Sequence, residues 1–157
     1  FRDGSFATIY LSPRDYHRVH MPSSGKLLRM HHVPGRLFSV NAATARTLPR
    51  LFTRNERVVN LFDTEAGPMA VILVGAIFVG GMDTVWAGTI APSDLRVSSW
   101  RYAGSNKTVE LLKGEEMGRF NMGSTVIMLF PKGTLKWDNK IEEGAAVKMG
   151  ETLAKLT

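Results

Sequence analysis

Punctuation constrains this chain more than any other feature. Glycine or proline falls at nearly every join between short runs rich in β-branched and aromatic residues, so the sequence offers strands and turns and little room for helix. The runs that read as strands are Phe6 to Leu11, Lys26 to Val33, Arg57 to Phe62, Met69 to Val74, Ile77 to Val79, Thr84 to Ala87, Val97 to Tyr102, Thr108 to Leu112 and Thr125 to Phe130. Thr152 to Leu156 reads as one more, and the chain stops just after it. One helix fits, from Ala42 to about Phe52 with Asn41 as N-cap, and Pro49 should end or kink its second half. Ser12-Pro13-Arg14-Asp15 signals a second, very short helix, with Ser as cap, Pro at the first position and an acid three residues after the cap.

Lys113-Gly114-Glu115-Glu116 and Val147-Lys148-Met149-Gly150-Glu151 look alike, each a Gly-Glu turn between short strands, which suggests a β structure folded over on itself. The expected fold class is therefore mainly β, or α+β in the broad sense: a compact sandwich or barrel-like core with one or two short helices. With 157 residues, 44% of them hydrophobic, a single domain over residues 1–157 can bury a real core. The most apolar stretch, Ala66 to Met82, is broken by Gly67, Pro68, Gly75, Gly80 and Gly81 and reads as buried strand, turn, strand, short of the roughly 20 residues of a spanning helix. No signal or transit segment is visible near Phe1. Because the chain opens without Met and stops on a strand, the expectation is a trimmed or processed piece of a longer product.

The chemistry available is bounded by what is missing. No cysteine is present, which removes disulfides, thiolate zinc sites and a cysteine nucleophile, and leaves hydroxyl, amine or carboxylate nucleophiles. A net charge of +6 favours an anionic partner. Gly123-Ser124-Thr125 stands at the mouth of an apolar strand, where a glycine permits backbone conformations that other residues resist and brings the serine hydroxyl within reach of the preceding carbonyl. With a base to take its proton, such a hydroxyl can exchange an amide for an ester. Imidazole, with an ordinary pKa near 6.5, suits that base. Tyr16-His17-Arg18-Val19-His20 supplies two: they share a face if the turn is helical and point to opposite sides if it is extended. Met21 before Pro22 should be extended, which puts the transition near His20. His31 and His32 lie on an alternating strand, one toward solvent, with no role assigned.

Tyr10-Leu11-Ser12-Pro13-Arg14-Asp15-Tyr16-His17-Arg18-Val19-His20-Met21-Pro22, then Pro34-Gly35-Arg36-Leu37-Phe38-Ser39-Val40-Asn41, Asn55-Glu56-Arg57-Val58-Val59, Val74-Gly75-Ala76 and Phe120-Asn121-Met122-Gly123-Ser124-Thr125 resemble phosphatidylserine decarboxylase of the bacterial type, in order and across nearly the whole chain. The resemblance implies a precursor that cuts itself between Gly123 and Ser124. Residues 1–123 would then belong to a β chain and residues 124–157 to an α chain, headed by a pyruvoyl group made from Ser124. That ketone would condense with the amine of phosphatidylserine as a Schiff base and serve as electron sink for loss of carbon dioxide, yielding phosphatidylethanolamine. By the same resemblance His20 is the base of self-cleavage and His17 the proton donor of decarboxylation. The family's third self-cleavage residue is an aspartate in an upstream Ala-Asp-Gly segment. None precedes Tyr10, so it is expected outside this chain together with the membrane-associating N-terminal region, and Asp15 is read as a capping residue.

Arg14, Arg18 and Arg36, with Lys26, are candidate cations for the substrate's phosphodiester and carboxylate. Met21, Met122 and Phe38 could line an acyl-chain groove, although core packing is their commoner use. No metal is called for. The implied partners are phosphatidylserine, an anionic membrane surface bound peripherally, the β and α chains of one precursor, and a second αβ unit in a homodimer, with no nucleic acid. The implied location is the bacterial inner membrane, or the mitochondrial inner membrane in a eukaryote. Among rivals, a serine hydrolase lacks its Gly-x-Ser-x-Gly elbow around Ser124. A non-catalytic lipoyl-like module shares the Gly-Glu turns but shows no carrier lysine motif. A nucleic-acid binder would cluster basic residues that here are scattered.

Overall fold

A computed structural model of the chain describes residues 1–77, 81–90 and 96–157, and of Ala42 and Ser124 the backbone alone. Within these residues the strands are β1 (Ser5–Leu11), β2 (Arg18–His20), β3 (Gly25–Val33), β4 (Arg57–Thr64), β5 (Gly67–Val74), β6 (Met82–Thr84), β7 (Gly88–Ile90), β8 (Ser98–Arg101), β9 (Glu110–Leu111), β10 (Glu116–Phe120), β11 (Ser124–Phe130), β12 (Leu135–Trp137) and β13 (Ala154–Leu156). Two short helices, α1 (Ala42–Thr47) and α2 (Leu51–Arg54), lie between β3 and β4.

The larger sheet runs β1-β11-β5-β4-β3-β8, with β9 also paired to β3; a second sheet runs β2-β10-β6-β7, and β12 pairs with β13. The described strand pairs are antiparallel. The core lies between the sheets. Met30, Val58, Phe62, Met69, Val71, Leu73, Val126 and Met128 of the larger sheet join Val19, Met82, Ile90, Met117 and Phe120 of the smaller in one buried cluster. Burial of this kind is worth roughly 25 cal/mol per Å² of apolar surface removed from water, and cutting a fully buried Leu73 to Ala would cost about 2–5 kcal/mol.

Most of the strands foreseen are present, and the described sheets form a layered β structure, not a closed barrel. Four expectations need correction. Ser12–Asp15 is a turn and not a helix: one carboxylate oxygen of Asp15 accepts the Ser12 N–H at 2.7 Å, but the chain then extends into β2. The single helix from Ala42 is two, because Pro49 removes a donor and Arg50 adopts a left-handed conformation (φ 57°). Its cap is as foreseen, with the Asn41 side chain accepting from Ala43 and Thr44 N–H groups and Thr44 reciprocating. The strand placed at Thr84 to Ala87 lies earlier, at β6, and residues 85–87 turn, with Ala87 N–H donating to the Thr84 hydroxyl. Ile77 sits in a turn, and the rest of that expected strand lies outside the described residues.

Candidate active site

The junction between Gly123 and Ser124 is set by two strands that belong to different sheets. β10 ends at Phe120, Asn121-Met122-Gly123 bridge the gap, and β11 begins at Ser124 opposite Leu11 of β1. Just past Leu11 the Ser12–Asp15 turn reverses the chain, so that His17 passes alongside the bridge and its carbonyl accepts the Phe120 N–H at 3.0 Å. This brings the His17 ring against the junction: its Nε2 is 3.2 Å from the Gly123 nitrogen and 3.3 Å from the Pro13 carbonyl oxygen. With a bare Nε2 the ring accepts the Gly123 N–H, and with a protonated one it donates to Pro13. Its Nδ1 is buried and has no hydrogen-bond partner among the described residues.

Gly123 is not in the left-handed region, so it does not use the backbone conformations, resisted by other residues, that the sequence led us to expect of it. Proximity bears on it instead: a Cβ there would stand 3.2 Å from the Leu11 oxygen and the Pro13 nitrogen, and those backbone atoms would have to give by a few tenths of an ångström to admit it. Backbone crowding, and not torsional strain, is therefore what favours glycine before the serine.

His20 is held elsewhere. The segment is extended through His20, so the two imidazoles do not share a face. The Nδ1 of His20 lies 2.7 Å from the Gly114 carbonyl oxygen, which can only accept, so Nδ1 carries a proton and, in the neutral ring, Nε2 presents a lone pair. That lone pair accepts the Tyr16 hydroxyl at 2.8 Å, and the Tyr16 and His20 rings stack with centroids 5.7 Å apart. Gly114 is left-handed (φ +87°) at the third position of a type II turn that is tied to Met21 in both directions. Neither Tyr16 nor Gly114 was assigned a part from the sequence, although the Gly-Glu turn containing Gly114 was visible there.

A cleft of about 200 Å³ opens beside the junction. Tyr10, Pro13, Ser39, Val40, Asn41, Ala76, Ile77 and Gly123 line it, and none of them carries a charge. Four of the five segments quoted from the sequence thus converge on one site. The candidate arginines do not: Arg18 pairs with Glu116 across β2 and β10, which raises its pKa through the hydrogen bond and the neighbouring charge. Arg36 bridges to Asn55, and Arg14 is exposed on the turn next to Pro13. Met21 is in the core, Phe38 packs against it beneath the Arg54 guanidinium, and Met122 is exposed. His31 faces Ser99, and His32, 1% exposed, contacts the Glu56 carboxylate at 2.7 Å. Among the described residues no cluster of metal-ligating side chains occurs.

Comparison with known proteins covers this same span. The family model described as phosphatidylserine decarboxylase matches residues 1–155. Three curated relatives, each called phosphatidylserine decarboxylase proenzyme, are similar over almost all of the chain. That of Marinobacter nauticus is 57% identical over 99% of this chain and 54% of its own length. The Nitrosococcus oceani protein is 54% identical over 99% and 51%, and one from Vibrio cholerae is 59% identical over 98% and 55%. The chain therefore spans about half the length of these relatives.

Proposed function

This chain belongs to the phosphatidylserine decarboxylase family, and from that premise we propose that it carries the catalytic core of a pyruvoyl-dependent enzyme converting phosphatidylserine to phosphatidylethanolamine. The observation that carries the reading is the crowded Gly123 junction, where His17 meets the Gly123 amide at the edge of an uncharged cleft. Fit to the pyruvoyl group rests on the serine at position 124, at the start of an anchored strand directly after that junction.

In self-cleavage the Ser124 hydroxyl gives up its proton and attacks the Gly123 carbonyl carbon, and the Gly123–Ser124 C–N bond breaks to leave an ester and a free amine; the family resemblance assigns that proton to His20, although the imidazole placed at the junction is that of His17. Elimination across the serine then releases Gly123 as a carboxylate, and water replaces the nitrogen as ammonia. Gly114 supports His20 in the base role by keeping its proton on Nδ1. The Tyr16 phenol has to leave Nε2 first, which its 49% exposure allows. Residues 1–123 and 124–157 become the β and α chains, still joined through the β1–β11 ladder.

A pyruvoyl group at residue 124 would supply a carbonyl able to take up the electron pair left when carbon dioxide departs. His17, beside residue 123, returns a proton to the carbon that lost the carboxylate, a role worth roughly 10²–10⁴ in rate. The uncharged cleft would hold the carboxylate away from compensating cations, which favours its loss as a neutral molecule. Arg14, on the turn that contributes Pro13 to the cleft, is the best placed of the three arginines for the phosphodiester; Arg18 is engaged by Glu116. Adsorption to an anionic membrane surface, and a homodimer of αβ units, belong to the same proposal.

Incubation with phosphatidylserine tests it. Phosphatidylethanolamine and carbon dioxide should appear in equal amounts, and both should vanish after pretreatment with hydroxylamine or in Ser124→Ala. Undiminished turnover in Ser124→Ala would contradict the proposal.

A further inference from the structure

Asn55-Glu56-Arg57, Pro34-Gly35-Arg36 and Val74-Gly75-Ala76 stand out in the sequence, and none of them supplies a reacting group to the chemistry above. In the fold they meet. Asn55 is fully buried (0% exposed), and its side chain accepts the Phe38 N–H at 3.0 Å while donating to the Phe38 carbonyl at 2.9 Å and the Gly75 carbonyl at 2.9 Å. One amide thus pairs with both backbone groups of Phe38, as a neighbouring strand would, and pins Gly75 with the remaining proton. The residues immediately after these two anchor points, Ser39-Val40-Asn41 and Ala76-Ile77, form one side of the cleft beside Gly123.

The flanking backbone, and not the flanking side chains, holds the amide in place. Glu56 donates its N–H to Arg36 O and accepts the Gly75 N–H, and its carboxylate is tied to buried His32. Gly35 is obligatory for this approach, since a Cβ would come within 2.5 Å of the Glu56 nitrogen and 2.6 Å of the Arg54 oxygen.

We infer that Asn55 is a positioning residue for the decarboxylase: it fixes the separation of the 38–41 and 75–77 segments and so sets the shape of the cleft that receives the phosphatidylserine head group. The inference rests on the proposed function for the identity of the ligand, and on geometry alone for the staple. Asn55 touches no reacting atom. Removing it takes this partner from the buried Gly75 carbonyl and from the part-buried carbonyl and N–H of Phe38, and the two segments are then free to separate.

The test uses the full-length enzyme with Asn55→Asp, which is isosteric but sets an acceptor against two carbonyls, and Asn55→Ala in case a buried carboxylate prevents folding. Glu56→Gln serves as a control that loosens the same neighbourhood without touching the amide. Cleavage at Gly123–Ser124 should persist in a folded Asn55 variant, while KM for phosphatidylserine rises at least tenfold and more than kcat falls. Hydrogen exchange at Phe38 and residues 75–77 should accelerate, with β4 and β5 unaffected. Glu56→Gln should shift thermal stability and leave KM within about twofold. Unchanged exchange at Phe38, an unchanged KM, or an equal rise of KM in Glu56→Gln would overturn the inference. A wild-type enzyme with no decarboxylase activity would instead count against the proposed function, with the exchange experiment still deciding the staple.

Discussion

Single atoms divide the labour at this site. Both histidines come from one five-residue stretch, yet an extended backbone sends them to different neighbours, His17 to the Gly123 amide and His20 to Gly114 and Tyr16. The sequence left open whether the two rings share a face, because the Ser12–Asp15 capping pattern fits a helix and a turn equally well until the following residues are paired. Pairing with β10 decided it. The separation makes the two roles separable, and the assignment taken from the family resemblance predicts which defect goes with which ring. His20→Ala should remain a single uncut chain, whereas His17→Ala should cleave and then decarboxylate 10²–10⁴-fold more slowly, as read by gel and by product formation. Loss of cleavage in His17→Ala with normal cleavage in His20→Ala would reverse the two roles. Tyr16 was illegible as a partner because stacking on His20 depends on the turn geometry, which composition does not encode.

At the scale of elements, strands with strong apolar patterning were readable, and those defined by their partners were not. β4, β5 and β11 carry runs such as Val-Ile-Leu-Val that are strands in almost any context. β2, β7 and β12, three residues each, exist because a neighbour's free edge was there to pair with. The two Gly-Glu turns were read correctly as alike, although only the first directly joins two strands, β9 and β10, and the likeness is physical: in each the glycine has φ +87° and the glutamate carboxylate caps the N–H three residues earlier, Leu112 in one and Lys148 in the other. Gly114 carries the additional duty of orienting His20. Gly114→Ala meets no atom within 4 Å, so its cost is the left-handed backbone alone, roughly 1–2 kcal/mol in urea denaturation, and it should slow self-cleavage. Gly150→Ala, with the same torsion, should cost as much stability and leave cleavage unaltered. Tyr102, beyond the end of β8, has its pKa raised above the ordinary 10.0 by burial. As pH climbs past that value the unfolded phenol ionises first, the folded state holds the extra proton, and stability falls. Urea midpoints should therefore drop between pH 9 and 11 by less in Tyr102→Phe than in the wild type.

On the scale of the whole molecule, family and broad architecture were legible because the informative segments recur in order from Tyr10 to Thr125, and their convergence on one cleft gives that order a spatial meaning. The cleft itself was not legible, since it depends on Asn55 pulling Phe38 and Gly75 together across some twenty residues. No described helix is long and apolar enough to cross a membrane. With a net charge of +6, adsorption to vesicles containing anionic lipid should be measurable by co-sedimentation and should weaken steeply between 50 and 500 mM salt. Equal binding to neutral vesicles would remove the electrostatic part of that account. The claim beneath all the others is that the backbone is cut ahead of Ser124 and the new terminus loses its nitrogen. Denaturing mass spectrometry of the purified, active enzyme examines it directly. Two fragments meeting between Gly123 and Ser124 are expected, the smaller lighter by one ammonia than a serine-terminated peptide and reactive toward hydroxylamine. One continuous chain through that bond in a fully active preparation would contradict the account.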